Sequence, residues 1–547
     1  MAKTTINKTQ DFDLIVLDLF LSTINVADGA SIKNLCDVRI KECPRVIYTG
    51  YPEQNFIAEY SKWAFIAKQE TKALEKLLKF ARAAYSKAQS LPSPNVEQAR
   101  RIVNSMRPDS WDNLYILGCF DQRITLYSQQ ARALTLIRAL FEIGQLHRGS
   151  SLAVVGAGVA GATAAVAGAL LEARVTLFDR AEGPFHLQEN ASHRYLHPHI
   201  YDWPEPGSLE KNANLPFLNW SANTADKVVD VLRKDFNNFR DYFSSRRNRF
   251  QWKNSTQVTA VEKISSTKGA TSKILLKSHQ LKKPNTISSQ KYDVVILAIG
   301  YGVESETPYW SGDNVAGPFH HKPKNEQIYR ILVSGIGDGG LIDLARATLR
   351  TDSRRSTFRH DQAVQFITKG TDFGKLGERM LEIDKVALGE ELYTPVNLYN
   401  RYKALKVPKE IVKKLNLLKR GQTDVTFHYR KENPFKLNTA LLNRLLAYLL
   451  LKYKLVTFRF GKMKEKPTAA NTKIVTFERP DGSKTEMKFN LIIKRYGPPK
   501  TYFEESFENV FRDCGPLKDM VKLRLIERLD EETLEFWNVI RRSRVKL

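Results

Sequence analysis

Residues 151–161 read Ser-Leu-Ala-Val-Val-Gly-Ala-Gly-Val-Ala-Gly, a short apolar strand running into a glycine turn. An alanine-rich helix, Ala162 to Glu172, follows, and then a second apolar strand, Arg174 to Phe178, with Asp179 and Arg180 at its end. Strand, Gly-x-Gly-x-x-Gly, helix, strand and acid within about 30 residues leave few folds open. Gly156 permits the tight turn, Gly158 lets the backbone approach a diphosphate, and Gly161 lets the helix pack closely on the strand. Ala157, Val159 and Ala160 complete the turn, where the free N–H groups and positive dipole end of the helix would meet phosphate. Asp179, with Arg180 beside it, is placed to accept hydrogen bonds from a ribose. The expectation is a dinucleotide site; the competing reading is a glycine turn in an ordinary α/β domain.

A second turn of the same pattern lies downstream. Ile331 to Ser334 reads as a strand, Gly335-Ile336-Gly337-Asp338-Gly339-Gly340 as the turn, Leu341 to Leu349 as a helix and Ala363 to Ile367 as the next strand. Between the two turns, Tyr292 to Gly302 is an apolar strand ending in Ala298-Ile299-Gly300. This strand resembles the one ending in Ala-Thr-Gly that closes the FAD half of glutathione-reductase-like flavoproteins, with Ile299 in place of the threonine. Two fingerprints separated by such a strand resemble the two-dinucleotide FAD-dependent oxidoreductases, reductase-like or monooxygenase-like, over about residues 148–500.

The resemblance implies FAD at Gly156–Gly161, Asp179, Ala298 and Gly300. It leaves the second turn open. Gly335, Gly337 and Gly340 would hold NADPH or NADH, and Thr368 and Lys369 after the expected strand, with Arg354, Arg355 and Arg359 just before it, lean to NADPH. Alternatively Gly337-Asp338 resembles the family's Gly-Asp pair, whose carboxylate bonds the ribityl chain of FAD.

The N-terminus is a separate module. Asp13 to Leu19, Arg45 to Tyr51 and Trp63 to Lys68 read as strands, and Thr71 to Ser86 as a helix. They resemble the second half of a response-regulator receiver, which implies Asp18 as phosphoacceptor, Thr49 as switch hydroxyl and Lys68 as the family's lysine. The first receiver strand, with the acids that hold Mg²⁺, has no counterpart. The expected architecture is therefore α/β: Rossmann-type FAD/NAD(P)-binding domains behind a truncated receiver-like α/β module. The boundaries expected are 1–90 for the receiver-like module, 91–148 for a helical linker, 149–302 for the first part of the FAD domain, 303–400 for the second dinucleotide region, 401–510 for a return to the FAD domain and substrate region, and 511–547 for a C-terminal helix. The strand Leu491 to Lys494, ending in Arg495-Tyr496-Gly497, is expected to rejoin the first sheet, and the C-terminal helix to pack on the core or on a second subunit.

Candidate chemistry lies between the fingerprints. His186, His193, Arg194, His197, His199 and Tyr201 crowd a proline-bearing segment, where imidazole, guanidinium and phenol could bind substrate or move protons. No thiol or carboxylate accompanies the histidines, so no metal is assigned. The four cysteines, Cys36, Cys43, Cys119 and Cys514, have no C-x-x-C spacing, which excludes a dithiol redox centre. Gln129, Gln130 and Arg132 open a long helix, Gln129 to Leu146; they could reach a cofactor, but read first as residues of a capped packing helix.

The formal net charge is +26, and more than half of the excess follows residue 350. Such a field attracts anionic partners, but aromatic residues are not interleaved with the basic runs as stacking platforms require. No apolar stretch is long enough to span a bilayer and no signal core opens the chain, so a cytoplasmic protein is expected. Three functions compete: a flavoenzyme reduced by NAD(P)H and acting on an unnamed small substrate or O₂; a signalling or assembly protein with a structural or sensory dinucleotide, its protein partner met through the receiver-like module or a homo-oligomer; and an RNA-modifying flavoprotein, supported by charge alone.

Overall fold

The computed structural model describes residues 15–17, 45–49, 64–67, 94–119, 124–245, 249–264, 272–300, 302–304, 308–312, 315, 328–350, 360–391, 396–421, 423–468, 472–498, 502–515 and 528–544. The chain forms two compact units, Met1–Arg101 and Ile102–Leu547. In the first, strands Ile15–Leu17, Arg45–Thr49 and Ala64–Ala67 pair in parallel in that order. Thr49 ends the second strand; Asp18, Lys68 and the expected helix Thr71 to Ser86 lie outside the described residues.

The second unit holds two parallel sheets. The first has the spatial order Leu114–Ile116, Val294–Leu297, Ser151–Val155, Arg174–Phe178, Phe250–Lys253. Its central strands are near-continuous apolar runs because both faces are covered. The helix Val159–Leu170 is buried from Ala160 onward, lying between the sheet and helix Leu126–Glu142. Its alanines and Gly168, whose Cβ would stand 2.5 Å from Leu152 Cδ2, set that close approach.

The second sheet repeats this plan. Its order is Thr457–Phe460, Thr423–Tyr429, Tyr329–Ser334, Leu491–Lys494. In both sheets a closing strand lies beside the fingerprint strand, which lies beside the second and third strands. In both, a three-stranded antiparallel meander precedes the closing strand: Thr256–Ile264, Lys273–Gln280 and Lys283–Tyr292 in the first, Lys462–Pro467, Lys473–Glu478 and Lys484–Phe489 in the second. The registers match residue for residue. Val155 pairs with Phe178 and Leu297; Ser334 pairs with His428 and Lys494. The chain therefore carries the same module twice.

Several expectations are corrected. Leu491–Lys494 pairs with the second fingerprint strand and does not return to the first sheet. The second sheet draws strands from 329–334 and from 423–494, so a boundary near residue 400 divides one module. Ala363 to Ile367 is not a strand but part of helix His360–Thr368; its buried residues, Ala363 and Ile367, are one helical turn apart. That helix opens a helical insertion, with Phe373–Glu391, Leu398–Tyr402 and Lys409–Leu418 following. The insertion leaves and returns at one point, where Leu349 bridges to Lys419, and only then comes the true second strand, Thr423–Tyr429. Residues 91–148 are more than a linker: they supply the edge strand Leu114–Ile116 and the buried helix Leu126–Glu142. The C-terminal helix Glu531–Arg544 packs on that helix, with Trp537 fully buried and its Nε1 donating to Leu134 O at 3.2 Å.

Candidate functional site

The carboxyl ends of the first sheet's strands converge on the fingerprint, and the chain changes direction across the sheet between Ser151–Val155 and Val294–Leu297. Crevices at such a switch point are where open α/β sheets bind ligands. Gly156 has φ +105° and faces Ala298, whose carbonyl oxygen would stand 2.4 Å from a Cβ there. A Cβ on Gly161 would meet Gly156 O. At Gly158 a Cβ would have no neighbour within 4 Å, so Gly158 is not needed for packing and leaves space above the turn. It is also the N-cap of its helix and provides no side-chain cap. Helix Leu126–Glu142, by contrast, has a full capping box from Thr125 and Ser128.

Asp179 is nine-tenths buried, and its carboxylate accepts from the N–H of Ala157 at 2.5 Å and of Ala181 at 2.7 Å. The acid thus braces the fingerprint turn itself, with lone pairs remaining for a ribose. Arg180 beside it is exposed, and Gly300, at φ +72°, turns the chain after Ala298 and Ile299.

One residue of this crevice, Gly118, escaped the sequence reading, and a second, Gln129, was read there as a packing residue. Gly118, at φ +84°, follows the edge strand, whose Leu117 N–H bonds Leu297 O. A Cβ on Gly118 would lie 2.2 Å from Gln129 Oε1. Gln129 is buried in the first turn of helix Leu126–Glu142, and its Nε2 has no hydrogen-bond partner among the described residues. An orphaned buried amide donor is costly, and it lies against Gly118, just past the strand beside the switch point. The signal available was a glycine after a four-residue apolar run, Leu114 to Leu117, too short to announce a strand. Gln130 is a packing residue as expected: it donates to Leu218 O at 2.9 Å and accepts from Trp220 Nε1 at 2.8 Å.

The second turn has the same geometry. Gly335, at φ +127°, faces Arg495 O; a Cβ on Gly340 would meet Gly335 O; Gly337 caps its helix and has open space. Asp338 is committed elsewhere, since its Oδ1 accepts from Ala440 N–H at 2.9 Å and from Asn443 Nδ2 at 2.7 Å, tying helix Asp338–Thr348 to the start of helix Leu441–Lys452. The position matching Asp179 is Tyr429, followed by exposed Arg430 and Lys431. Arg354, Arg355 and Arg359 lie outside the described residues, and Thr368 ends helix His360–Thr368 with Lys369 just after it, so neither follows the second strand.

The histidine segment is bound up in the structure. Arg194 is buried and clamps Asp343 with both terminal nitrogens, at 2.5 and 3.2 Å. Asp343 also meets Arg495 Nε at 2.7 Å and Arg346 at 3.1 Å, and Arg495 reaches Glu304 at 3.0 Å. Tyr309 lies under the Arg194 guanidinium, 3.7 Å from its ring centroid. Burial alone would raise the Asp343 carboxyl, but Arg194 and Arg346 hold it far below the usual carboxylate range. His197 Nδ1 accepts from the His199 N–H, and His199 Nε2 faces Asn212 O at 3.0 Å with its ring edge-on to Tyr127. His193 is buried, Tyr201 lies in a short 3₁₀ turn and His186 is exposed. Among the described residues no group of three His, Cys, Asp or Glu could hold a metal ion, and no helix is long and apolar enough to cross a membrane.

No protein-family model matches the chain, and no curated protein matches it. Among solved structures, bacillithiol disulfide reductase from Staphylococcus aureus is similar at 12% identity and TM-score 0.32, over 66% of this chain and 80% of that one. A thioredoxin reductase from Lactococcus lactis is similar at 12% identity and TM-score 0.29, over 64% and 77%. A lysine monooxygenase from Nocardia farcinica is similar at 10% identity and TM-score 0.31, over 66% and 83%. Likenesses this faint define no family for the chain.

Proposed function

We propose that the chain is a flavin-dependent oxidoreductase with FAD in the first crevice and a nicotinamide dinucleotide at the second. The observation that carries this reading is the duplication. Two turns of matching register each keep one glycine, Gly158 and Gly337, whose missing Cβ packs against nothing. A glycine kept where no neighbour requires it fits a turn that a ligand approaches.

FAD would supply hydride and electron transfer; the chain's residues bind and orient it. The N-terminus of helix Val159–Leu170 would receive the diphosphate, Asp179 the ribose, and Gln129 Nε2 an acceptor on the ligand. At the second turn no carboxylate stands where Asp179 stands in the first. Tyr429, Arg430 and Lys431 replace it, and a phosphate on the ribose matches that charge, which favours NADPH over NADH. Asp338 has other partners, which speaks against the ribityl contact. Neither Cys119 nor Cys514 is disulfide-bonded, and with no C-x-x-C in the sequence a dithiol reaction is left out.

The test is the visible spectrum of the purified protein. A flavin band that bleaches under NADPH without air is the expected result; a colourless protein that takes up no FAD would overturn the reading. A second reading, a structural or sensory dinucleotide, draws on the buried Arg194–Asp343–Arg495 cluster beside the second turn. It predicts bound flavin that NADPH does not bleach. A receiver-like role for the N-terminal unit is proposed on its parallel three-stranded sheet alone.

A further inference from the structure

The two modules differ most under the turn. In the first, the ends of the fingerprint, second and closing strands carry Val155, Phe178 and Ile299, all part of one apolar cluster. At the matching positions the second has Ser334, His428 and Tyr496. Ser334 and His428 are buried, and the three side chains form one chain of hydrogen bonds. Ser334 Oγ lies 2.7 Å from His428 Nδ1 and 2.8 Å from Tyr496 Oη, and His428 Nε2 lies 3.1 Å from Gly461 O. The same backbone closes over an apolar trio in the other module, so the fold does not require this polar one.

The directions of the bonds follow from chemistry. Gly461 O is a carbonyl and only accepts, so His428 Nε2 carries the proton. Burial pushes the His428 pKa below its ordinary value, and in the neutral ring Nδ1 is then the acceptor. Ser334 spends its single hydrogen on Nδ1 and must accept from Tyr496. The Tyr496 hydroxyl therefore donates inward, and what it can present to a ligand is oxygen lone pairs. Tyr496 is 62% exposed, although its hydroxyl reaches the residue that precedes the Gly335 turn.

We propose that Tyr496 is a specificity-determining ligand contact of the second crevice, held by Ser334 and His428 as a hydrogen-bond acceptor for a ribose hydroxyl. This rests on the reading of the second turn as a dinucleotide site. In a βαβ site the adenine ribose lies toward the end of the second strand and the diphosphate on the helix N-terminus. The other half of the dinucleotide then lies toward the closing strand, where Tyr496 stands. An acceptor there takes a hydroxyl and repels a phosphate, whereas Tyr429, Arg430 and Lys431 face the adenine half.

The experiment is a pair of binding titrations on the full chain, one with NADPH and one with adenosine 2′,5′-bisphosphate, which lacks the nicotinamide half. Tyr496→Phe is expected to weaken NADPH about tenfold, the worth of one hydrogen bond, and to leave the bisphosphate unchanged. Ser334→Ala, which frees the Tyr496 hydroxyl to rotate, is expected to weaken NADPH selectively and to add nothing in the Tyr496→Phe background. Gly337→Val should abolish both ligands. Wild-type protein that binds neither ligand defeats the dinucleotide reading of the turn, and the Tyr496 proposal with it. Wild-type protein that binds both, with Tyr496→Phe altering neither or weakening both alike, overturns the Tyr496 proposal and leaves the dinucleotide reading standing.

Discussion

At Gly158 and Gly337 the absence of one carbon atom is unexplained by packing, whereas at Gly156 and Gly161 a Cβ would strike backbone. The two kinds of glycine should respond differently to substitution. Gly158→Asp places a carboxylate where a diphosphate is expected, and its Cβ has no neighbour within 4 Å, so it should lose its flavin and fold with the thermal midpoint of flavin-stripped wild type. Absorbance per mole of protein, read beside a melting curve, checks both halves. Gly161→Ala should instead fail as a fold, because its methyl would overlap Gly156 O. Asp338→Ala is expected to keep flavin content and to cost about 1–2 kcal/mol of stability through the lost cap on Ala440. Denaturant midpoints measure it, and loss of flavin from this variant would restore the ribityl reading.

Helices show how far burial departs from periodicity. Leu126–Glu142 carries apolar residues at helical spacing, yet it is buried from Tyr127 to Leu140, polar residues included. Its outer face is covered by the C-terminal helix, where Arg138 bonds Thr533 at 2.9 Å and Glu532 at 2.5 Å. Trp537 stands edge-on to Phe217 with 5.7 Å between ring centroids. Trp537→Ala should therefore cost about 3–5 kcal/mol and release helix Glu531–Arg544 to protease. Limited proteolysis should then trim the C-terminus before anything else. A variant as resistant as wild type would show that the docking does not depend on Trp537.

Over the whole second unit, Asp343 joins three stretches of chain far apart in sequence: Arg194 from the histidine segment, Arg346 on its own helix and Arg495 after the closing strand. Removing its charge leaves buried guanidinium groups without their shared anion. Asp343→Asn is expected to cost about 3–5 kcal/mol at neutral pH. The sign of the acid response follows. The folded carboxyl lies below its unfolded value, so its contribution is full above about pH 4 and is lost as pH falls toward the folded value. Wild-type unfolding free energy should therefore drop more steeply below about pH 4 than that of Asp343→Asn. Parallel slopes would place the acid sensitivity elsewhere.

Both glycine turns, the strands leading into them and Asp179 as the acid after the second strand could be read directly from the sequence. A positive φ, a missing Cβ and an apolar run act within a few residues, so local chemistry encodes them. Pairing is another matter. Val294–Leu297 and Leu491–Lys494 are both short apolar strands followed by a glycine three residues on, and no local rule says which sheet each joins. That is decided by which faces can be buried together, and Leu491–Lys494 lies beside Tyr329–Ser334 because its own meander precedes it. Leu114–Ile116 is too short to announce itself and exists as a strand only against Val294–Leu297. Ala363 to Ile367 has the residue types of a strand but folds as a helix because the insertion buries one side of it. Arg194 and Asp343 read as a candidate catalytic cation and an unremarked helix acid; 149 positions apart, they became a buried ion pair only through tertiary structure. Single residues carried the geometry of the turns, whereas the choice of partners belonged to the sum of surfaces removed from water, a property that no segment of the chain holds by itself.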